Sequence, residues 1–264
     1  MDISIIIVNW NTSELLINCV ESIKKETLNI KYEIIIYDNN SKDNSIELVE
    51  KKYDNIKIIK GKENLGFSKA NNKAVNICNG KYVLLLNPDT IILDNAIEKT
   101  FEFIQQYNKK NVLVGCKLLN KDLSTQLSAA RFPSIYNYTV GRTSNIEINN
   151  STHKCDWVMG AFMMLSKNTY NMIGGFDESY FMYCEDMDIC YKIYKNFGEV
   201  YFFNEAQIIH LYNQSGEKKW KGNREEALRK SSFIFINKNK KNFISRNLLK
   251  LIYNLKYFLK KYLR

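Results

Sequence analysis

The first hundred residues alternate short, continuous apolar runs with segments in which apolar residues recur every three or four positions. Continuous apolar runs of four to eight residues are typical of buried strands, and the longer spacing is typical of amphipathic helices. The predicted strands cover 3–8, 32–37, 56–59 and 82–86, and the predicted helices begin at 12–14, 45, 68 and 95. This alternation predicts an α/β fold with a parallel sheet covered by helices on both faces.

The second half of the chain is less regular. A fifth strand is predicted over 112–118, and residues 120–154 are polar and predict an irregular excursion. Beyond it the pattern predicts strands at 157–165, 200–203 and 206–210 and helices at 167–173 and 186–197. Residues 1–216 are therefore predicted to form one domain, and residues 217–264 a helical tail.

Four predicted turns carry Asn or Asp, namely Asn9-Trp10-Asn11, Asp38-Asn39-Asn40, Asn64-Leu65-Gly66 and Asn87-Pro88-Asp89. Any one of them could be explained by the preference of these residues for turns. Ligands of open α/β sheets bind beyond the carboxyl ends of the strands, where such turns lie. Their recurrence in four turns therefore favours a ligand site.

The positive charge of the chain is concentrated at its end. Residues 217–264 hold 15 Lys and Arg against 3 Asp and Glu, a net charge of +12, whereas residues 1–216 hold 23 against 25, a net charge of −2. A nucleic-acid enzyme is expected to carry basic residues on its main domain. The distribution therefore argues against nucleic acid as a partner and favours an anionic membrane surface.

The remaining composition points to the cytoplasm. The six cysteines include no CxxC pair, four lie in apolar runs, and the two histidines are far apart, so a structural zinc site is not expected. No run approaches the roughly 20 apolar residues that span a bilayer, and no secretory leader is recognised at the start. We therefore expect reduced, structural cysteines in a protein that neither is secreted nor spans a membrane.

The chemistry-bearing residues are mainly carboxylates. The chain has no GxGxxG after its first strand, no GxxxxGK[ST] and no GxSxG, which argues against a dinucleotide dehydrogenase, a P-loop NTPase and an α/β-hydrolase. It does have Asp38 and Asp89 at strand ends and Glu185, Asp186 and Asp188 at a helix start. Acids there stabilise the helix dipole, which is the simpler interpretation of Asp188. Crowded acids also raise one another's proton affinity, which suits a general base.

Several segments together carry a resemblance to a known family. They are SIIIVNWN, YDNNSKDNS, ENLGFSKANN, LLLNPD, WVMGAFMMLSK, GGFDESYFMYCEDMDICYK and IIHLYNQS. In this order and spacing, over about residues 3–216, the chain resembles the family-2 inverting nucleotide-sugar glycosyltransferases, in particular the bacterial rhamnosyltransferase-like branch that builds cell-surface polysaccharide such as O-antigen or capsule. The resemblance implies a GT-A fold with a Rossmann-like, mixed, mostly parallel sheet, the donor nucleotide over residues 1–118 and the acceptor over residues 155–216.

The resemblance also implies roles for individual residues. Asp186 would be the catalytic base, Asp89 would bind Mg²⁺ or Mn²⁺, and His210 would contact the metal or diphosphate, although a histidine at a strand end can also be structural. Trp157 and Glu185 would border the acceptor. The donor nucleotide would lie against the residues Asn9, Asn11, Asp38, Asn64, Gly66, Phe67 and Asn87. Because Asn87 replaces the first acid of the usual DxD motif, one carboxylate is left for the metal.

The predicted function is sugar transfer with inversion from a nucleotide diphosphate sugar to a hydroxyl of a lipid-linked saccharide. L-Rhamnose from dTDP-rhamnose is the first expectation for the donor, with UDP-galactofuranose and UDP-hexoses as alternatives. A nucleotidyltransferase is disfavoured, because the turn after the first strand has neither the glycine nor the basic residue that a triphosphate-binding loop needs. An inactive nucleotide-sugar-binding protein is less favoured, because Asp89 and Asp186 are both present.

The end of the chain predicts a membrane contact. Residues 238–264 hold nine Lys and Arg and no acid. On a helical wheel Ile244, Leu248, Leu251, Ile252, Leu255, Phe258, Leu259 and Leu263 fall on one face and the basic residues on the other. This pattern predicts an amphipathic basic helix that lies on an anionic leaflet, with the enzyme peripheral on the inner face of the cell membrane. A terminal helix packed on the domain is the alternative.

Overall fold

The computed structural model describes residues 1–107, 110–136, 151–211 and 224–262, and the side chains within them up to residue 259. The strands in these ranges are β1 Ile3–Asn9, β2 Tyr32–Asp38, β3 Lys57–Lys60, β4 Tyr82–Leu86, β5 Thr90–Ile92, β6 Val112–Leu119, β7 Ala129–Ala130, β8 His153–Cys155, β9 Trp157–Val158, β10 Phe162–Ser166 and β11 Glu199–His210. The helices are α1 Ser13–Glu26, α2 Ser45–Lys52, α3 Gly66–Val75, α4 Ala96–Gln105, α5 Lys167–Met172, α6 Glu185–Lys195, α7 Arg224–Asn239 and α8 Phe243–Tyr262.

The main sheet has the strand order β3-β2-β1-β4-β10-β6-β11-β5, with β8 paired to β11. Strands β1 to β4 are mutually parallel, β10 runs against β4 and β6, and β11 is parallel to β6. Six of these nine strands therefore point the same way. The predicted mixed, mostly parallel α/β sheet is confirmed. Strand β1 lies between β2 and β4, so the chain order reverses beside its carboxyl end, where α/β folds bind ligands.

Both faces of the sheet are buried, as the continuous apolar runs predict. Ile5 and Ile7 of β1 point to a core shared with α1, α2 and α4. Ile6 and Val8 point to the opposite core, which is shared with α3, α5 and α6. Successive side chains of a strand point to opposite faces, so each strand of this type contributes to two cores at once.

The single strand predicted over 157–165 is wrong, because β9 pairs with β7 in a separate two-stranded sheet and β10 joins the main sheet. The chain changes sheets at Gly160, whose amide donates a hydrogen bond of 3.1 Å to Asp186 Oδ2. Conversely, the two pieces predicted over 200–210 form one strand, with an irregular register between Phe203 and Gln207. Strand β5, which follows Asp89 directly, was not predicted, because three residues are too few to form a recognisable apolar pattern.

The predicted excursion at 120–154 contains short strands in its described part. Residues 120–126 fold back so that Leu119 bridges Thr125, and β7 and β8 pair with β9 and β11. Residues 137–150 lie outside the described residues, as does the predicted domain boundary at 216–217.

The C-terminal region is divided between two helices. The sequence predicts one helix over 238–264, but the structure divides these residues between two helices, because α7 ends at Asn239 and α8 begins at Phe243. Helix α7 packs on the main body through the fully buried Phe235, whose ring lies 5.5 Å from that of Tyr191 in α6. Among the described residues, no helix combines the length and apolar character needed to cross a bilayer.

Candidate active site

A cavity lies beyond the carboxyl ends of β1, β2 and β4, closed on its other side by the starts of α6 and α7. Eight of the twelve residues predicted for the site line this cavity. It is also lined by Val8, Trp10 and Asn39, which are neighbours of predicted residues in the turns. The lining residues are Val8, Trp10, Asn39, Asn64, Gly66, Phe67, Asn87, Pro88, Asp89, Met159, Gly160, Ala161, Met182, Tyr183, Glu185, Asp186, His210 and Arg224. Residues far apart in sequence therefore meet at one edge of the sheet.

Asp186 is held at the first turn of α6 with its carboxylate in the cavity lining. Its Oδ2 accepts from the Gly160 amide at 3.1 Å, and its Oδ1 accepts from the Met187 amide at 2.8 Å. A Cβ at position 160 would lie 3.3 Å from the Asp186 Cβ, so glycine allows this close approach. Burial raises the pKa of Asp186 above its ordinary value, although the two amides oppose this. A carboxylate with a raised pKa is a stronger base.

Glu185 lies beside Asp186 and is 8% exposed. Burial raises its pKa, and the charge of Asp186 raises it further. Within the described part of the chain, its Oε2 has no hydrogen-bond partner. Two neighbouring carboxyl groups in this environment do not readily ionise together, so the pair retains a proton to higher pH than isolated acids.

Asp89 and His210 form the second polar group of the cavity. Asp89 Oδ1 lies 3.5 Å from His210 Nε2, and Asn87 Nδ2 lies 3.4 Å from the same nitrogen. Gln126 Nε2 donates to the backbone carbonyl oxygen of His210 at 2.7 Å, so Gln126 Oε1 is the acceptor 3.0 Å from His210 Nδ1. This arrangement allows His210 Nδ1 to donate to Gln126 Oε1 and leaves Nε2 facing Asp89 and Asn87. No motif in the sequence indicated Gln126.

Few candidate metal ligands lie around Asp89 and His210. Among the described residues, no group of three or more His, Cys, Asp and Glu side chains could hold a metal ion. A carboxylate and an imidazole whose other nitrogen is hydrogen-bonded do fit a divalent cation that takes its remaining oxygen ligands from phosphate and water. Asp89 and His210 could therefore hold a metal together with a bound diphosphate.

The third part of the cavity is built on the start of α3. The Asn64 side chain accepts from the Gly66 amide at 2.9 Å, and the Phe67 amide donates to the Phe181 carbonyl oxygen at 2.9 Å. Gly66 has φ +77°, and a Cβ there would lie 2.4 Å from that same oxygen. Glycine is needed for both reasons. Asn39, for which the sequence predicted no individual role, accepts a hydrogen bond from the Leu65 amide and donates one to the Gly66 carbonyl oxygen.

The remaining predicted nucleotide residues lie deeper in the turns. Asn9 and Asp38 are opposite each other in the β1–β2 ladder, and Asn9 Nδ2 donates to Asp38 Oδ1 at 2.8 Å. Asn9 is fully buried and also bonds Ser45 and Thr12. Asn11 accepts from the Lys42 amide at 2.6 Å. These side chains join the loops that follow β1 and β2 to each other.

Trp157 lies away from the cavity lining, and its indole N–H donates to the Arg131 carbonyl oxygen at 3.1 Å. Its acceptor role stays a prediction. The lining also includes residues that the sequence analysis did not propose for the site, among them Met182, Tyr183 and Arg224. Arg224 begins α7, and no motif in the sequence singled it out.

Comparison with known proteins identifies the family. The model of glycosyl transferase family 2 matches residues 4–166, more than half of the chain. The rhamnosyltransferase WbbL of Escherichia coli strain K12 is 30% identical over 145 residues, which are 48% of this chain and 54% of that protein. The N-acetylglucosaminyl-diphospho-decaprenol L-rhamnosyltransferase of Mycobacterium tuberculosis strain H37Rv is 22% identical over 230 residues, 77% of this chain and 74% of that protein. The chain thus spans about half the length of the first relative.

Solved structures agree on the fold. GalNAc-T7 with UDP, GalNAc and Mn²⁺ has a TM-score of 0.67 at 14% identity, over 99% of this chain and 56% of that one. S. aureus TarS 1–349 in complex with UDP-GlcNAc has a TM-score of 0.64 at 16% identity, over 98% and 73%. The predicted GT-A fold is confirmed. The chain belongs to glycosyl transferase family 2 and is a glycosyltransferase.

Proposed function

We propose that the protein transfers one sugar, with inversion, from a nucleotide diphosphate sugar to a hydroxyl of a lipid-linked saccharide in cell-surface polysaccharide synthesis, such as that of O-antigen or capsule. The observation that carries this proposal is the cavity that Asp186 and the Asp89–His210 pair line together. An inverting transfer needs a base for the attacking hydroxyl and a stabilised diphosphate leaving group. This cavity offers a group for each.

The chemical step uses Asp186 as the base. Its carboxylate takes the proton of the acceptor hydroxyl while that oxygen bonds the anomeric carbon and the bond from this carbon to the diphosphate oxygen breaks. The Gly160 and Met187 amides fix the carboxylate in place. Glu185, one residue earlier, contributes to the acceptor side.

Asp89 and His210 would hold Mg²⁺ or Mn²⁺ against the diphosphate. Bound there, the cation neutralises charge on the leaving group. The GalNAc-T7 structure includes Mn²⁺, which supports a divalent ion in this fold. Asp38 is proposed to hydrogen-bond the nucleotide base, with Asn9 and Asn11 supporting its loop, and Asn64, Gly66, Phe67 and Asn87 line the nucleotide.

L-Rhamnose from dTDP-rhamnose is the proposed donor, because both relatives described above are named rhamnosyltransferases. A UDP-sugar is the alternative, favoured by the UDP-GlcNAc complex of TarS. The test is release of nucleoside diphosphate from a panel of sugar nucleotides by the purified protein, with and without Mn²⁺ or Mg²⁺. Release from dTDP-rhamnose alone supports the proposal, and release from a UDP-sugar alone selects the alternative. Binding without release would identify an inactive sugar-nucleotide-binding protein.

The proposed place of action is the inner face of the cell membrane, reached through α8. Its residues Ile244, Leu251, Leu255, Phe258 and Leu259 are each 49% to 75% exposed. On another face, α8 contacts α7. Leu249 is buried there, and Arg229 of α7 donates to Asn254 Oδ1 at 3.0 Å. Each basic residue near an anionic leaflet contributes about 1 kcal/mol. An exposed apolar strip in a basic, acid-free segment suits an interfacial helix.

Liposome co-sedimentation tests this contact. Binding to anionic vesicles, weak binding to neutral ones and partial release by salt are expected, since charge interactions are screened within about 10 Å at 0.1 M salt. The triple variant Leu251→Glu, Leu255→Glu, Leu259→Glu should lose binding, whereas Leu123→Glu, another exposed leucine, should keep it. Equal binding by both variants would rule out α8 as the contact.

A further inference from the structure

The backbone immediately before Glu185 is in an unfavourable conformation. Tyr183 has φ +69° and Cys184 has φ +64°, so two consecutive residues with side chains adopt the left-handed region. Each such residue costs on the order of 1–3 kcal/mol and persists only where its surroundings hold it. This turn decides where α6 begins, and therefore where Glu185 and Asp186 point.

Helix α7 contacts this turn from behind through two adjacent serines. Ser231 Oγ donates to the Met182 carbonyl oxygen at 2.8 Å, and Ser232 Oγ lies 3.6 Å from Cys184 Sγ. Ser231 is 6% exposed and Ser232 is 1% exposed. One buried hydroxyl therefore bonds the residue before the left-handed pair, and the other contacts the second residue of the pair.

The end of the same helix holds the segments on either side of the turn. Lys238 forms an ion pair with Asp177 and donates to Ser179 Oγ at 2.8 Å. Asn239 Nδ2 donates to Asp188 Oδ1 at 3.2 Å, one turn into α6. Helix α7 thus contacts the chain before, within and after the turn, although it lies outside the part of the chain that the family model matches.

We propose that Ser231 and Ser232 are positioning residues for sugar transfer, holding the left-handed turn at Tyr183 and Cys184 so that the Asp186 carboxylate meets the acceptor hydroxyl. This role rests on the proposed function of Asp186. Without the Ser231 hydrogen bond, the turn relaxes towards ordinary backbone angles and the start of α6 shifts. A displacement of about 1 Å at a reacting group can cost up to about 100-fold in rate.

The test compares Ser231→Ala with Ser231→Thr, which keeps the hydroxyl, and with Ser4→Ala, which removes a buried hydroxyl at the opposite edge of the sheet. For Ser231→Ala, kcat should fall about 10-fold with the donor KM within about twofold. The acid limb of the pH–rate profile should move to lower pH, because a loosened turn hydrates the carboxylates. Ser231→Thr should restore most of kcat, and Ser4→Ala should retain it.

Amide hydrogen exchange over residues 177–190 gives a readout that does not depend on activity. Exchange there should be faster in Ser231→Ala than in wild type and unchanged in Ser4→Ala. Unchanged exchange and unchanged kcat in Ser231→Ala would overturn the positioning role, as would an equal loss of kcat in Ser4→Ala. Wild-type protein that releases no nucleoside diphosphate from any sugar nucleotide would instead overturn the proposed function, and the exchange result would still stand.

Discussion

Glu33 and Glu185 are two buried glutamates at opposite ends of the strands of the main sheet, and their pKa values shift in opposite directions. At the amino-terminal edge, burial of Glu33 is outweighed by bonds from Lys57, Ser4 and Asn79, which lower its pKa to about 2. At the carboxyl-terminal edge, burial and the charge of Asp186 raise the pKa of Glu185. Glu33 is 9% exposed and Glu185 is 8% exposed, so the two side chains are about equally accessible to solvent.

The difference lies in how many partners each carboxylate has. Glu33 accepts from four donors, and its charge ties β1 and β2 to the chain before β4 and to β3. Glu185 faces a cavity beside a second acid. A satisfied carboxylate stabilises the fold, whereas one held next to another acid in a cavity stores unfavourable energy that a bound substrate can relieve. We therefore expect the amino-terminal end of the strands to contribute mainly to stability and the carboxyl-terminal end to carry the proposed chemistry.

The strongest test of this contrast is Asp186→Asn. Turnover should fall by roughly 10²–10⁴, the contribution of a positioned proton acceptor, while donor binding stays close to wild type. Steady-state kinetics and calorimetric titration with the nucleotide measure the two quantities. Glu33→Gln, at the other edge, should retain turnover in the fraction that remains folded. Transfer by Asp186→Asn at more than about a tenth of the wild-type rate would remove Asp186 as the base.

Asp89→Ala should have the next largest effect. If Asp89 links a cation to the diphosphate, the variant should bind nucleoside diphosphate at least about tenfold more weakly in Mn²⁺ and nearly normally in EDTA. EDTA should also abolish transfer by the wild type. Nucleotide titration under both conditions measures this. Equal weakening with and without Mn²⁺ would assign Asp89 a direct or structural role, and full activity in EDTA would exclude the cation.

Glu33→Gln should reduce stability more than activity. Hydrogen bonds to a charged group contribute about 1.5–3 kcal/mol, so we expect a loss of about 2 kcal/mol at pH 7. Because the folded pKa lies below the unfolded value of 4.5, this advantage of the wild type is present above pH 4.5 and disappears as pH falls towards about 2. Denaturant unfolding from pH 7 to pH 3 measures it. A gap that does not narrow at low pH would contradict the assignment.

Much of the carboxyl-terminal side of this contrast could be predicted from sequence. The apolar runs located the strands, and the turns after them placed Asn64, Asn87 and Asp89 at one edge, because parallel strands end together. The acid cluster at the start of α6 indicated a general base by charge crowding, and the resemblance to the family-2 glycosyltransferases selected Asp186 from it. Patterns of this kind report local periodicity, so they predict helices and strands better than they predict contacts between residues far apart in sequence.

Contacts between distant segments could not be predicted. The break between β9 and β10 occurs because Gly160 approaches Asp186, and the sequence there reads as one apolar run. Gln126 reaches His210 from the polar excursion, and Ser231 reaches Met182 from the basic tail. Each of these contacts depends on tertiary packing, which produces no periodic pattern in the local sequence. The sequence also did not indicate the role of Glu33, because a lone acid in an apolar run does not show that four hydrogen-bond donors will surround it.

Glu185→Gln should change stability in the opposite direction to Glu33→Gln. A carboxyl group whose folded pKa is raised costs the fold stability as pH rises from the ordinary glutamate value through the raised one, and glutamine carries no such cost. The variant should therefore gain stability relative to the wild type progressively as pH rises from 5 to 9, each unit of pKa difference being worth about 1.4 kcal/mol. Thermal unfolding across this range measures the gap. If it stays constant with pH, or if Glu185→Gln loses stability as Glu33→Gln does, the two edges of the sheet do not differ in the way proposed.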